Sequence, residues 1–371
     1  MGNHNIVYEF YYKFVKNYIV KLLFPKAQNG DSILIKFLDE NNITRNILID
    51  GGRTECYYNE TLNIEGELKS IIDEIRNDGE FIDLLILTHI DNDHVEGLLE
   101  WFKRDKIARD LIKKVWFNSG KLISEKFKIA ENPDLNLKIE DSKVSTTGVS
   151  EGIDFEKYIS ENQIWERNLI LSGQKILFYN IEFKILSPNE EALKKLLELY
   201  QKEAPSSLTA GIKDWTTSIT EFIEDEKKSN FSEDRSVTNG SSISFILKYK
   251  DKDLLFLGDS HPNKIIEGLK RFDYSEDNQI VFDLMKVSHH GSKSNTNKKL
   301  LKIAKAKKYI LLTNSAKDNH PHKRTLARII SEDENAKFHF NYEEVKSSIF
   351  SDIDFADHKN FSIKYSPVIE L

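Results

Sequence analysis

Four side chains able to bind metal ions fall within six residues of this sequence: His89, Asp91, Asp93 and His94. They directly follow the apolar run LLILT at 84–88, and a loop at the end of a strand can turn several side chains toward one point. Imidazole nitrogen together with carboxylate oxygen suits zinc, iron and manganese. The sequence therefore predicts a metal site centred on these four residues.

The elements around this cluster must position it. The run LLILT is typical of a strand buried on both faces, in a sheet covered by helices. Helical spacing of apolar residues precedes it over 62–77 and follows it over 95–103. Strands are also predicted upstream, at VKLLFP, DSILIKF and NILIDGG, and downstream, at SISFILKY, DLLFLGD, LMKVSHHG and KYILLTN, with helices over 262–270 and 297–305. We expect an α/β fold.

The region between residues 120 and 236 is charged and mixed in pattern. It predicts a helix over 190–202 and a strand pair over 175–186. We expect one domain over residues 1–371, with an insertion or lid within 122–235, mainly at 122–170 and 190–235.

Composition narrows the class of protein. No apolar run approaches the roughly 18 residues of a membrane span, and charged residues interrupt the stretch 8–20 where a signal peptide would lie. Cys56 is the only cysteine, which excludes a disulfide framework and a thiolate zinc site within one chain. We expect a cytoplasmic protein with no membrane partner. The net charge of −7 gives no global attraction to nucleic acid, so such binding would need a local basic groove.

The segment ILTHIDNDHVEGL at 86–98 resembles the second motif of the metallo-β-lactamase superfamily, H-x-H-x-D-H, with Asp91 in place of the second His. The resemblance implies an αββα sandwich. It also implies that His89 and Asp91 bind a first metal ion, and that Asp93 and His94 bind a second.

Three further segments resemble other motifs of the superfamily, in the same order along the chain. LIDGG at 48–52 resembles the first motif, which implies that Asp50 supports the metal loop without binding metal. LLFLGDS at 254–260 resembles the fourth, which implies that Asp259 bridges both metals. KVSHHGS at 286–292 resembles the fifth, which offers His289 or His290 to the second metal.

One branch of the superfamily is more similar still, the metallohydrolase domain of the competence protein ComEC and its stand-alone bacterial relatives. The likeness is carried by GDSILI at 30–35, THIDNDH, NGSSISF at 239–245, HHGS and NHPHKRTL at 319–326. It implies a phosphodiesterase or nuclease acting on DNA. By analogy with relatives encoded beside defence or regulatory genes, it also implies a role in bacterial defence and a regulatory partner protein.

The chain departs from the superfamily in one respect: it has no His between His94 and Asp259, where the third motif should supply one. We expect the first site to consist of His89, Asp91 and Asp259, completed by water or Asn239. This oxygen-rich set favours harder ions. Two divalent ions are expected, and the choice between manganese and zinc stays open.

Two such ions would lower the pKa of a water molecule between them and generate hydroxide near neutral pH. Asp93 could orient that hydroxide, and His320 or His322 could protonate the leaving group. We expect Lys323, Arg324 and Ser292 to contact phosphate.

Two other functions are consistent with the same residues. In the first, the acidic segment 221–228 narrows the cleft, and the substrate is a small molecule such as a cyclic nucleotide, lactone or thioester. In the second, the altered first site leaves a catalytically inactive metal-binding interaction module. Metal content and hydrolysis of a generic phosphodiester separate this module from both enzymes.

Overall fold

The computed structural model describes residues 20–129, 148–200 and 213–371, and two β-sheets form its centre. Most of the segment at 8–20 lies outside the described residues. The first sheet has the order β18-β1-β2-β3-β6-β7. Its strands are β1 (Lys21–Leu23), β2 (Ile33–Leu38), β3 (Thr44–Ile49), β6 (Ile82–Ile86), β7 (Val115–Trp116) and β18 (Val368–Glu370).

The second sheet has the order β17-β16-β15-β13-β11-β10-β9-β8. Its strands are β8 (Lys175–Phe178), β9 (Ile181–Ser187), β10 (Ser244–Tyr249), β11 (Lys252–Phe256), β13 (Leu284–Lys286), β15 (Tyr309–Leu311), β16 (Lys337–Phe340) and β17 (Ser362–Tyr365). Two small pairs complete the strands: β4 (Tyr58–Asn59) with β5 (Ile64–Glu65), and β12 (Ile280–Phe282) with β14 (Ala304–Ala306).

Helices cover both sheets. Those before β8 are α1 (Thr54–Tyr57), α2 (Glu67–Asn77), α3 (Asn92–Arg104), α4 (Ala108–Leu111), α5 (Gly120–Phe127) and α6 (Val149–Glu161). Those after β9 are α7 (Glu190–Tyr200), α8 (Ile219–Asp225), α9 (Val237–Gly240), α10 (Pro262–Lys270), α11 (Lys298–Ile303), α12 (Lys323–Glu332), α13 (Glu343–Ser348) and α14 (Asp352–Asp357).

Alternation along the strands produces the layers. Ile33, Ile35 and Phe37 of β2 pack into a core that also contains Phe183 and Phe245 of the second sheet. Leu34, between them in sequence, packs instead with the helices on the outer face, because successive side chains of a strand point to opposite sides. A third core lies between the second sheet and its helices. The predicted αββα sandwich is confirmed.

The range 122–235 contains part of this framework. Strands β8 and β9 lie within it and extend the second sheet through the pairing of β9 with β10. Residues 175–187 are therefore core rather than inserted material, and the strand pair predicted at 175–186 is present. The predicted helix at 190–202 is described as far as Tyr200.

None of the helices in the described ranges has the length and apolar character needed to cross a membrane.

Candidate metal centre

The candidate site lies where three strands end. His89, Asp91, Asp93 and His94 follow β6 of the first sheet, Asp259 follows β11, and His289 and His290 follow β13. Strand β6 is parallel to β3 and β7, and β11 is parallel to β13. The carboxyl ends of parallel strands meet at one edge, which is where α/β proteins commonly bind ligands. The site is therefore shared between the two sheets.

A close backbone approach holds the loop after β6. Gly30 lies so near Asp93 that a Cβ atom on residue 30 would be 1.9 Å from the Asp93 carbonyl oxygen, so only glycine fits. The neighbouring Asp31 donates its N–H to that carbonyl at 3.2 Å, and Asn29 Nδ2 donates to Asp93 Oδ2 at 2.9 Å. The GDSILI segment thus fixes the backbone of Asp93, and Asn29 just before it positions the Asp93 carboxylate.

Four imidazoles surround one carboxylate oxygen, Oδ2 of Asp259. The distances from their Nε2 atoms to that oxygen are 3.4 Å for His94, 3.6 Å for His290, 3.7 Å for His289 and 4.0 Å for His89. Asp91 Oδ2 lies 3.6 Å from Nε2 of His89, and Asp93 Oδ2 lies 3.5 Å from Nε2 of His290. All seven candidate residues, including both His289 and His290, are therefore brought together.

The other ring nitrogen of three of these imidazoles faces away from Asp259 and has a partner. Nδ1 of His94 lies 2.8 Å from Asp50 Oδ2, and Nδ1 of His89 lies 3.0 Å from the Thr88 hydroxyl. His290 Nδ1 donates to the Leu312 carbonyl oxygen at 3.0 Å. Partners of this kind fix ring orientation and tautomer, and they are usual behind metal-binding histidines.

The cluster fits divalent cations. The Nε2 atoms of His89, His94 and His290 are buried, and they have no hydrogen-bond partner among the described residues. Leaving buried polar atoms unpaired is costly unless something else binds them. Two groups have ligand atoms within 4.8 Å of one another, His89–His94–Asp259 and Asp93–His94–His290. Nitrogen and carboxylate oxygen in this ratio suit zinc or manganese.

The charges in the cluster favour a cation as well. Burial opposes protonation of His289, but Asp259 and Asp234 outweigh it and raise its pKa to about 10. The pKa of His94 is likewise raised well above its usual value, since Asp259 and Asp50 outweigh burial. Burial raises the pKa of Asp259, but His289, His94 and His290 hold it well below its usual range. The carboxylates therefore stabilise positive charge at this point.

A buried lysine closes the inner side of the centre. Lys286 pairs with Asp31, and its Nζ lies 3.7 Å from Asp259 Oδ1. Asp31 Oδ1 is in turn 3.1 Å from Nδ1 of His290. Asp31, Asp50 and His94 also form a group with metal-binding spacing, but the Lys286 ammonium already neutralises Asp31. We therefore do not assign a cation to that group.

Another carboxylate, that of Asp234, reaches the cluster from the region before β10. Asp234 Oδ2 accepts hydrogen bonds from Asn239 Nδ2 at 2.7 Å and Asn295 Nδ2 at 3.0 Å, and it lies 3.5 Å from Nδ1 of His289. The Oδ1 atom of Asn239 is buried without a hydrogen-bond partner in the described chain. Sequence reasoning missed Asp234, because it lies in the irregular charged region and only the fold brings it to the site.

The two histidines of the NHPHKRTL segment differ in their position. The His320 ring centroid is 4.8 Å from that of His289 and 6.1 Å from that of His290, so His320 borders the cluster. His322 is one ring further out, with its centroid 5.0 Å from that of His320. Burial lowers the pKa of His320 well below 6.5 and that of His322 to about 4. Both rings are therefore neutral near pH 7.

The predicted phosphate contacts are placed differently. Lys323 is fully buried, pairs with Asp354 and donates to the Trp215 carbonyl oxygen, so its charge is not presented to a substrate. Arg324 pairs with Asp225 at 2.6 Å and Glu226 at 2.9 Å. Only Ser292, whose N–H donates to the His289 carbonyl oxygen, adjoins the centre. The structure thus does not bring Lys323 and Arg324 into the cluster.

A comparison with protein families supports the resemblance. Residues 27–159 match the model described as "Metallo-beta-lactamase superfamily". This part of the chain is similar to the metallo-β-lactamase superfamily. The matched range includes Asp50 and the loop from His89 to His94, whereas Asp259, His289 and His290 lie beyond it. A comparison with curated protein sequences returned no match.

Solved structures similar to this metallo-β-lactamase-fold chain include YhfI from Bacillus subtilis, with 10% identity, a TM-score of 0.39, and coverage of 95% of this chain and 100% of YhfI. A long form RNase Z from yeast has 14% identity and a TM-score of 0.37, over 95% of this chain and 41% of RNase Z. Zn²⁺-bound PqqB from Methylobacterium extorquens has 11% identity and a TM-score of 0.36, over 95% of this chain and 99% of PqqB.

Proposed function

We propose that this protein is a metal-dependent phosphodiesterase that cleaves DNA. The observation that carries the proposal is the convergence of four imidazole Nε2 atoms on one oxygen of Asp259, flanked by Asp91 and Asp93. His89, Asp91, Asp93, His94, Asp259 and His290 would hold two divalent ions. Such ions supply Lewis acidity and a water molecule of lowered pKa, and they neutralise charge on a phosphodiester.

The chain's own groups have distinct roles in this reaction. Asp93, held by Asn29, accepts a hydrogen bond from the attacking water and orients it toward phosphorus. His320 borders the cluster, and its neutral ring donates a hydrogen bond to the leaving oxygen, which stabilises the negative charge that develops there. Ser292 contacts a non-bridging oxygen of the phosphate. The likeness of GDSILI, HHGS and NHPHKRTL to the ComEC branch supports DNA as the substrate.

A specific observation favours a small phosphodiester as the second candidate. Trp215 Nε1 donates to the Pro321 carbonyl oxygen at 2.9 Å, beside His320 and His322. Glu226, just beyond α8, pairs with Arg324 and Arg328 of α12. The region from residue 213 to 226 is thereby fixed against the His320 loop, and a wall at this position would restrict a duplex more than a mononucleotide.

The test compares the parent protein with Asp93→Ala/His94→Ala. Asp251→Ala/His358→Ala serves as the matched control, because it removes the same side-chain types outside the site. Each protein is loaded with manganese or zinc and assayed on single- and double-stranded DNA, RNA and bis-p-nitrophenyl phosphate. We expect DNA cleavage by the parent and the control alone.

Other outcomes redirect the assignment. Cleavage of the small diester without any polynucleotide would establish the second candidate. Cleavage of RNA alone would leave a nuclease but refute DNA as the substrate. A parent protein that binds metal and cleaves nothing would be the inactive interaction module.

A further inference from the structure

We propose that His289 is a metal ligand in addition to His290, and that this imidazole replaces the one missing from the third motif. The inference rests on the metal centre of the proposed function and names its ligands more completely. The superfamily pattern leads one to expect one ligand from the His289–His290 pair, whereas the geometry here assigns both.

His289 has the same relation to Asp259 as the three other imidazoles. Its Nε2 is 3.7 Å from Asp259 Oδ2, which lies between the 3.4 Å of His94 and the 4.0 Å of His89. A histidine at the edge of the site that served only the substrate would not need its Nε2 directed at the shared carboxylate.

The opposite ring nitrogen of His289, Nδ1, is held by polar partners. Nδ1 of His289 lies 3.0 Å from Asn295 Oδ1 and 3.5 Å from Asp234 Oδ2. Asn295 is itself fixed, since its Nδ2 donates to the carboxylate of Asp234 and to the carbonyl oxygen of Asp259. With Nδ1 fixed in this way, Nε2 presents its lone pair to the centre, as a metal-binding histidine requires.

The backbone at His289 and His290 has an unusual conformation. His289 and His290 have φ values of 49° and 52°, so two consecutive non-glycine residues take the left-handed conformation. This conformation is strained for residues other than glycine, and such residues cluster at functional sites. It turns two adjacent rings toward one carboxylate while their Nδ1 atoms reach partners on different segments, Leu312 for His290 and Asn295 for His289. Two extended residues would instead direct their side chains to opposite sides.

Binding of metal by His289 would raise the number of imidazole ligands in the centre. Without a third-motif His, a pair of metal ions would share only His89, His94 and His290. His289 supplies a fourth imidazole. Asp234 and Asn295 are then positioning residues, because they act on metal through His289.

The experiment measures metal binding instead of turnover. Parent protein, His289→Ala, His290→Ala, Asp234→Asn and the control His358→Ala are loaded with zinc, dialysed and analysed for metal content and for affinity by chelator competition. His358 lies near Thr220, outside the site. We expect His289→Ala to lose one bound ion per chain or at least about 100-fold in affinity, and Asp234→Asn to lose about 10-fold, within the 10–100-fold range usual for groups behind a ligand. His358→Ala should match the parent.

A crystal structure of the zinc-loaded parent, with anomalous scattering to locate the ions, gives a second readout that does not depend on how a variant folds. We expect an ion about 2.0–2.1 Å from His289 Nε2. Two ions bound by the parent with none near His289, or undiminished content and affinity in folded His289→Ala, would overturn the inference alone. A parent that binds no metal would overturn the proposed function as well.

Discussion

The carboxylate of Asp50 lies 2.8 Å from Nδ1 of His94 and also accepts hydrogen bonds from the N–H and the hydroxyl of Thr88, both at 2.7 Å. The buried Asp50 side chain thus fixes both Thr88, just beyond the end of β6, and the ring of His94. Asp50 itself has a positive φ of 57°, which aims the carboxylate back at the loop after β6.

Replacing Asp50 with Ala should weaken metal binding about 10–100-fold, because the His94 ring loses the partner that fixes its orientation. Chelator competition measures this. Asp78→Ala, at an exposed position after α2, should bind metal like the parent. Unchanged affinity in folded Asp50→Ala would show that His94 is positioned by other contacts.

Replacing His320 with Ala should lower kcat on a phosphodiester by about 10²–10³-fold, the usual cost of losing one hydrogen-bond donor at an oxygen that develops negative charge. Its metal content should not change, because in the described part of the chain His320 is not among the imidazoles whose Nε2 atoms surround Asp259. Steady-state kinetics and metal analysis of the same samples check both parts. A substrate with a leaving group that needs no proton, such as p-nitrophenol, should show a smaller loss. An equal loss on both substrates would contradict the role of His320 as a donor.

Replacing Asp354 with Ala should destabilise the fold by about 3–5 kcal/mol, because it leaves the fully buried Lys323 ammonium without its partner carboxylate. Urea unfolding measures the change. Asp352→Ala, in the first turn of the same helix α14 but exposed, should alter stability by less than about 0.5 kcal/mol. A small effect of Asp354→Ala would mean that Lys323 is paired otherwise in solution.

The pH dependence of stability should include a contribution from His339. Burial, together with Lys308, Lys364 and Lys337, lowers the pKa of its imidazole from 6.5 to about 4. The unfolded chain therefore binds more protons between these values, and stability falls as pH decreases from 6.5 to 4, by up to about 3 kcal/mol for this group. Urea unfolding of chelator-treated protein at pH 7 and pH 4.5 measures the fall. The free energy of unfolding should fall less for His339→Gln than for the parent between these two pH values. An equal fall in both proteins would exclude His339 as a cause.

The sequence predicted the layered fold because its strands carry strong local patterns. LLILT has the continuous apolar pattern of a strand buried on both faces, and it forms β6 and leads into the site, as predicted. The helix predicted over 262–270 matches α10, which begins with Pro262 at its first position. The charged region from 120 to 236 has weaker patterns. Its strand β9 belongs to the core only because it pairs with β10 across more than 50 residues of sequence.

The candidate metal site was predictable where its candidate ligands fall close together in sequence. The residues around them were not, since Lys286, Asp234 and Asn295 are ordinary polar residues until the chain brings them to Asp259. Lys323 and Arg324 illustrate the converse: a basic pair after a His-Pro-His segment suggests phosphate binding, but the structure gives each a carboxylate partner. Pairing of this kind depends on helices α8 and α14, which no local pattern links to residue 323.

The division of the ligands between the two sheets has a mechanical consequence. The candidate ligands His89, Asp91, Asp93 and His94 extend from the first sheet, and Asp259, His289 and His290 extend from the second. An ion held by residues of both sets would fasten one half of the sandwich to the other. An ion that binds only the folded chain raises the free energy of unfolding by about 4.1 kcal/mol when its concentration is 1,000 times its Kd. The protein would then resist heat and proteases better when metal is available. Depletion of metal would inactivate it in two ways, by removing the ions from the centre and by destabilising the fold.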